Sequence, residues 1–198
     1  MRLSIGYKNY LRSLQLLYYL SECGVENAII SPGSRSAPLA IAAGELAKKG
    51  IFQIYNSIDE RSAGFHALGI SIASDKPTVV LTTSGTAVAN LLPSAVEADK
   101  SSISVIYISA DRPLRLKNCG ANQTVDQEKF LSPVCRLTES TCLEGFHLTT
   151  ETELKNLGQK IKEICLFNSG PMHLNISIEK PLIIDINERK KIINQFTE

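Results

Sequence analysis

The sequence has almost no net charge. Lys and Arg number 21 and Asp and Glu 20 over 198 residues, which leaves +1. Affinity for nucleic acid leans on neutralising phosphates, and no long basic run is present to do so; the few compact clusters, such as Arg189-Lys190-Lys191, sit where a solvated tail would. No nucleic-acid partner is expected. Long apolar runs are missing as well. The longest, residues 78–81 and 87–98, fall far below the roughly 20 residues that cross a bilayer, so no membrane span is expected. Residues 1–8 lack the continuous apolar stretch of a signal peptide, and the expectation is a soluble, cytoplasmic protein. Cys23, Cys119, Cys135, Cys142 and Cys165 form no Cys-x-x-Cys pair and are odd in number, which predicts free thiols in a reducing compartment. His66, His147 and His173 are scattered away from them, so no zinc site is expected. Neither a Gly-x-Gly-x-x-Gly nor a Walker sequence occurs, and nothing here is a nucleotide fingerprint.

What is present is a globular composition, 43% hydrophobic and 21% charged. At about 150 residues per domain, the length fits one large domain with a tail. Apolar residues recur at helical spacing over residues 9–23, up to Gly24. A short β-branched strand follows at 27–31, a turn cluster at 32–36 and a helix over 37–49. Strands are expected at 52–56, 78–82, 103–108 and 173–178, and helices from Asp59 to about Ala73, from 84 to 97 and over 151–166. Residues 111–143 lose periodicity and hold Pro113, Gly120 and Pro133, as a long irregular segment would; such segments in compact domains are usually functional. Strands alternating with helices predict an α/β fold, an open, mostly parallel sheet with helices on both faces. The domain is expected to cover residues 1–182. Residues 183–198, with their charged run, are expected to begin a linker to a further domain.

In such sheets ligands bind where strand ends meet helix N-termini. The run Ser31-Pro32-Gly33-Ser34-Arg35-Ser36 combines a turn, outward amides and a guanidinium fork suited to a carboxylate or phosphate; it reads either as an anion site or as a capping serine beside a solvated arginine. Glu60 opens a helix whose small residues Ala63, Gly64, Ala67 and Ser71 share one face, leaving room for another backbone or a flat ligand; a first-turn glutamate favoured by the helix dipole is the plainer reading. His66 points to another face of that helix and reads as a core or interface residue. Asp111 and Arg112 pair with one another or turn Arg112 toward a ligand. Asn122 and Gln123 are turn residues or donors to a polar substrate.

Six segments occur in one order: 30–39 (Ile-Ser-Pro-Gly-Ser-Arg-Ser-Ala-Pro-Leu), 59–65 (Asp-Glu-Arg-Ser-Ala-Gly-Phe), 83–93 (Thr-Ser-Gly-Thr-Ala-Val-Ala-Asn-Leu-Leu-Pro), 110–113 (Ala-Asp-Arg-Pro), 120–123 (Gly-Ala-Asn-Gln) and 170–175 (Gly-Pro-Met-His-Leu-Asn). Together they resemble the N-terminal, pyrimidine-binding part of the 2-succinyl-5-enolpyruvyl-6-hydroxy-3-cyclohexene-1-carboxylate synthases, thiamine-diphosphate enzymes of menaquinone and phylloquinone biosynthesis. The resemblance covers residues 9–182. Thr-Ser-Gly-x-x-x-x-Asn and the leading glutamate are shared across thiamine-diphosphate enzymes, whereas Ser-Pro-Gly-Ser-Arg-Ser, Asp-Arg-Pro and Gly-Ala-Asn-Gln are narrower.

The resemblance implies a transferase that decarboxylates 2-oxoglutarate and adds the succinyl unit to isochorismate. It implies Glu60 as the catalytic carboxylate that hydrogen-bonds N1′ of the cofactor's aminopyrimidine. It places Ser34, Arg35, Arg112, Asn122 and Gln123 as substrate-binding residues, and Thr83, Ser84, Gly85, Thr86 and Asn90 near the cofactor. The family holds the diphosphate and Mg2+ in a C-terminal domain with a Gly-Asp-Gly motif, which does not occur in these residues. No metal ligands are therefore expected here, and this part alone is expected to be inactive. Its partners would be its own C-terminal domains and a second copy, in a homodimer or homotetramer. Two other readings stand beside this one: another thiamine-diphosphate decarboxylase or carboligase, and a non-catalytic α/β binding module.

Overall fold

A computed structural model describes residues 3–197. Met1, Arg2 and Glu198, the outer ends of the expected domain and linker, lie outside the described residues. The centre is one sheet of six strands: β1 (Asn27–Ile30), β2 (Gln53–Asn56), β3 (Thr78–Thr82), β4 (Val105–Asp111), β5 (Leu137–Ser140) and β6 (Met172–Ser177). They lie in the order β2-β1-β3-β4-β6-β5, and every pairing is parallel. The expected α/β architecture is present, with no antiparallel strand among the described residues.

Helices cover both faces because side chains alternate along each strand. Ala28, Val79, Leu81, Ile106, Ile108, Ala110, Leu174 and Ile176 face one layer, formed by α1 (Ile5–Ser21), α2 (Ala37–Lys48) and, further along the chain, α7 (Glu151–Phe167). Ile29, Val80, Val105 and Tyr107 face the other, built from α3 (Glu60–Ser74), α4 (Thr86–Ala89), α5 (Leu92–Ser101) and α6 (Glu128–Leu131). Helix α1 buries Leu14, Leu16, Leu17 and Leu20 completely, on more than one side, because α2 and α7 flank it. Each such leucine contributes roughly 1.5–3 kcal/mol by leaving water. Ser4 caps the helix by accepting from Tyr7 N, so α1 begins before the apolar pattern does.

Three expectations need correction. The single helix over 84–97 is two helices, α4 and α5, broken at Asn90-Leu91: Pro93 has no N–H to donate back to Ala89 and instead occupies the first turn of a new helix. The fourth strand, expected over 103–108, runs on through Ser109, Ala110 and Asp111, all buried, because these residues pair with β6. The irregular segment contains an edge strand, β5, whose Thr138, Glu139 and Ser140 carry no apolar alternation, together with the short α6 and a 3-10 turn at Leu114–Leu116. Beyond Pro181, helix α8 (Ile186–Thr197) lies along α1, with Ile192 and Ile193 buried and Phe196 edge-on to Tyr18 at 5.5 Å. Among the described residues no helix is long and apolar enough to cross a membrane.

A buried polar contact joins sheet and helix on the second face. The Tyr107 hydroxyl on β4 lies 3.0 Å from Ser94 Oγ on α5, and Ser94 Oγ donates to the Leu91 carbonyl. Tyr107→Phe is expected to lower the urea midpoint by a change worth about 1 kcal/mol with the slope unchanged; an unmoved midpoint would show that this buried bond is energetically neutral.

Candidate active site at the carboxyl edge of the sheet

The strand order reverses at β1, with β2 on one side and β3 with all later strands on the other. In an open parallel sheet that point leaves a crevice at the carboxyl ends, between the β1 and β3 turns. The two turns touch there. A Cβ on Gly33 would stand 2.3 Å from Thr83 Cβ, so only glycine lets the turns close up. Gly85 follows with φ +79° and ψ −137°, backbone reserved for glycine, and a Cβ there would meet Gln123 Cγ at 2.7 Å.

Segment 112–127 folds over the β3 turn. Arg112 donates through Nη1 to Ser84 Oγ and, at 2.9 Å, to the Gln123 carbonyl. The Gln123 amide donates to the Ser84 carbonyl at 2.9 Å, and the Gly85 N–H donates to Gln127 Oε1 at 2.9 Å. Arg35 crosses the same edge from β1 and donates to the Ile178 carbonyl, just past β6, at 2.7 Å; it is 8% exposed. Burial lowers the pKa of both guanidiniums, and for Arg35 the nearby charge of Arg112 adds to this. Both remain cations at neutral pH. Neither forms an ion pair among the described residues: Glu179 is taken by Arg115, and Asp111 by Lys117 at 2.8 Å. Two positive charges, that of Arg35 buried and that of Arg112 half-buried, without a carboxylate partner among the described residues suit an anionic ligand.

Glu60 stands apart from this group. It is the first residue of α3, after the edge strand β2, with β1 between it and the β3 turn. Asp59 caps that helix by accepting from Ser62 N at 2.8 Å, which leaves Glu60 half-buried and without a hydrogen bond or ion pair among the described residues. Ser34, Thr86, Asn90 and Asn122 are exposed. The small face of α3 is not open to a ligand: Ala63, Gly64, Ala67 and Ser71 are buried, with Gly64 closed off by Ser94 of α5. His66 is exposed and edge-on to Tyr55 at 5.1 Å, so it is not a core residue. The Asp111 carboxylate does not pair with the Arg112 side chain; it accepts the Arg112 backbone N–H at 2.8 Å.

Behind the edge lies a buried polar cluster that residue-by-residue reading overlooked. Gln127 Nε2 donates to Asn175 Oδ1 at 2.8 Å, Asn175 Nδ2 donates to Asp111 Oδ2 at 3.0 Å, and Ser109 Oγ lies 2.8 Å from His173 Nε2. The signal was in the sequence: Ser109 and Asp111, then His173, Asn175 and Ser177, are polar at every second position of strands whose other positions are apolar.

With this geometry in place, comparison with known proteins adds the family. The sequence model of the thiamine pyrophosphate enzyme N-terminal TPP binding domain matches residues 13–130. The chain belongs to this family. As a thiamine pyrophosphate enzyme domain it is 62% identical over 194 residues to the 2-succinyl-5-enolpyruvyl-6-hydroxy-3-cyclohexene-1-carboxylate synthase of Prochlorococcus marinus strain MIT 9312, covering 98% of this chain and 33% of that protein. The synthase of Synechococcus sp. strain WH7803 is 54% identical over 169 residues, covering 85% of this chain and 29% of that protein. The chain spans about a third of the length of the curated relatives it matches.

His173 gives this thiamine pyrophosphate enzyme domain a measurable acid response. Burial pushes its pKa down to about 4, with Asp111 opposing. The folded form thus favours neutral imidazole, and the unfolded chain binds the extra proton first. The stabilisation is complete above the ordinary histidine pKa near 6.5 and is lost as pH falls from there toward 4. Denaturation at pH 7 and pH 4 is expected to show His173→Gln escaping a loss of up to roughly 3 kcal/mol that wild type suffers; equal losses would place the acid sensitivity elsewhere.

Proposed function

We propose that this chain is the pyrimidine-binding part of a synthase that decarboxylates 2-oxoglutarate and adds the succinyl unit to isochorismate, giving 2-succinyl-5-enolpyruvyl-6-hydroxy-3-cyclohexene-1-carboxylate and carbon dioxide. The observation that carries this reading is the pair of guanidiniums at the sheet edge, Arg35 buried and Arg112 half-buried, that lack a carboxylate partner among the described residues. Both substrates bring carboxylates. The names of the relatives, at up to 62% identity, support the same reaction.

The described residues fit the pyrimidine half of thiamine diphosphate. Glu60, half-buried and without a hydrogen bond among the described residues, is available to hydrogen-bond N1′ of an aminopyrimidine, and Gly33 and Gly85 let the β1 and β3 turns close up across β1 from it. No group of His, Cys, Asp or Glu able to hold a metal occurs among the described residues. Mg2+ and the diphosphate are assigned to C-terminal domains of the longer protein, 183–198 to the start of the connection, and the assembly to a cytoplasmic homodimer or homotetramer. The chemistry a bound thiamine diphosphate supplies is a sink for the electron pair left by decarboxylation. The Glu60 carboxyl holds the proton at N1′ and so sets the tautomer of the ring. Arg35 and Arg112, with Ser34, Asn122 and Gln123, bind and orient the carboxylates. Thr83, Ser84, Gly85, Thr86 and Asn90 shape the wall beside the reacting carbon.

The test uses the full-length protein with thiamine diphosphate, Mg2+, 2-oxoglutarate and isochorismate, following the adduct by mass spectrometry. Glu60→Gln is expected to lower turnover by about two orders of magnitude or more, a barrier cost of roughly 3 kcal/mol. Carbon dioxide without adduct would move the acceptor to another compound; a folded, cofactor-loaded protein that makes neither sinks the reading. The isolated 198 residues are expected to show little or no heat of thiamine diphosphate binding, and micromolar affinity would overturn the division of the cofactor between domains.

A further inference from the structure

Segment 112–127 presents Arg112, Asn122 and Gln123, yet it has little regular structure to hold its shape. Asn118, Gly120 and Gln123 all have positive φ (61°, 76° and 60°), so the chain reverses repeatedly. Among the described residues, 118–125 form no backbone–backbone hydrogen bond. Side chains hold it instead: Gln123 ties its tip to the β3 turn, and Lys117 holds its base. Lys117 Nζ lies 2.8 Å from Asp111 Oδ2 and 3.1 and 3.0 Å from the two oxygens of Glu128. Its side chain is 8% exposed and that of Asp111 fully buried. One ammonium thus joins the last residue of β4 to the first residue of α6, closing the segment at its base.

The same carboxylate fixes the neighbouring residue. Asp111 Oδ1 accepts the Arg112 N–H at 2.8 Å, while Oδ2 takes Asn175 Nδ2 and Lys117. Left without its cation, Asp111 would be an uncompensated buried charge and could not keep this arrangement. Burial by itself works against the charge on Lys117, but Asp111 and Glu128 outweigh it and hold the lysine pKa above its usual value.

We propose that Lys117 is a positioning residue: by bridging Asp111 and Glu128 it holds segment 112–127 in the shape that presents Arg112 and Gln123 to the carboxylates of isochorismate. The substrate in this statement rests on the synthase reading, whereas the bridge rests on the geometry of this chain.

The experiment uses the full-length enzyme with Lys117→Met, Lys117→Arg and Glu128→Gln, read by hydrogen exchange and by steady-state kinetics. In Lys117→Met, amides of 118–126 are expected to exchange about tenfold faster or more, with exchange in β1 and β3 unchanged. The KM for isochorismate is expected to rise about tenfold, with kcat within about threefold and thiamine diphosphate affinity within about twofold of wild type. Glu128→Gln is expected to move both readings the same way by less, and Lys117→Arg to restore most of each. Unchanged exchange and KM in the folded variant overturn the proposal. So does a parallel fall in cofactor affinity, which would make Lys117 a general structural residue. If Lys117→Met does not fold, Glu128→Gln decides by the same criteria. If wild type makes no adduct, the synthase reading fails, and exchange alone then decides whether the bridge holds the segment.

Discussion

A parallel sheet whose inner strands are buried on both faces leaves one edge where the chain can meet a polar ligand, the line along which the strands end. Everything lateral is occupied: α1, α2 and α7 close one face, α3 and α5 the other, over side chains that are mostly apolar. Polar side chains that are needed must enter from the strand ends, and they do so in the turns after β1 and β3 and in the segment after β4. The reversal of strand order at β1 then decides which of those turns flank a crevice.

That crevice is electropositive for a specific reason. Arg35 and Arg112 are held by neutral acceptors, the Ile178 and Gln123 carbonyls and the Ser84 hydroxyl, and the acidic residues near them are spent on Arg115 and Lys117. A guanidinium fixed by neutral acceptors keeps most of its field for a ligand, which an arginine in a tight ion pair does not. Glu60 follows the opposite pattern on the far side of β1: its neighbour Asp59 does the capping, which leaves the Glu60 carboxylate uncommitted.

Much of this was legible in the sequence, and the exceptions share causes. The core strands β1, β3 and β4 announced themselves through short runs rich in Val and Ile, β6 through apolar residues at every second position, and α3 through Asp59. Strand β5 did not, because an edge strand with Thr138, Glu139 and Ser140 needs no apolar period; its existence depends on β6 being beside it. The split between α4 and α5 was written in Pro93 but lost among the alanines and leucines around it. Of the site, the residues in glycine- and arginine-rich turns were visible singly, and their ordered combination pointed to the family. Gln127 and Asn175 were not, since each matters only through a partner far along the chain, and Lys117 was not, since its partners Asp111 and Glu128 are brought to it only by the fold of an irregular segment.

The two margins of the sheet, β2 and β5, are the places where another chain's backbone would have to add on. Both are only four residues long, and β5 carries Glu139, tied to Lys160 of α7 at 2.9 Å. Short, charge-bearing margins are poor templates for strand addition and guard against runaway polymerisation. Association of this domain with another protein surface is therefore directed to its helical layers and to the line of strand ends, where the shape of the side chains, and not the generic pairing of backbones, selects the partner.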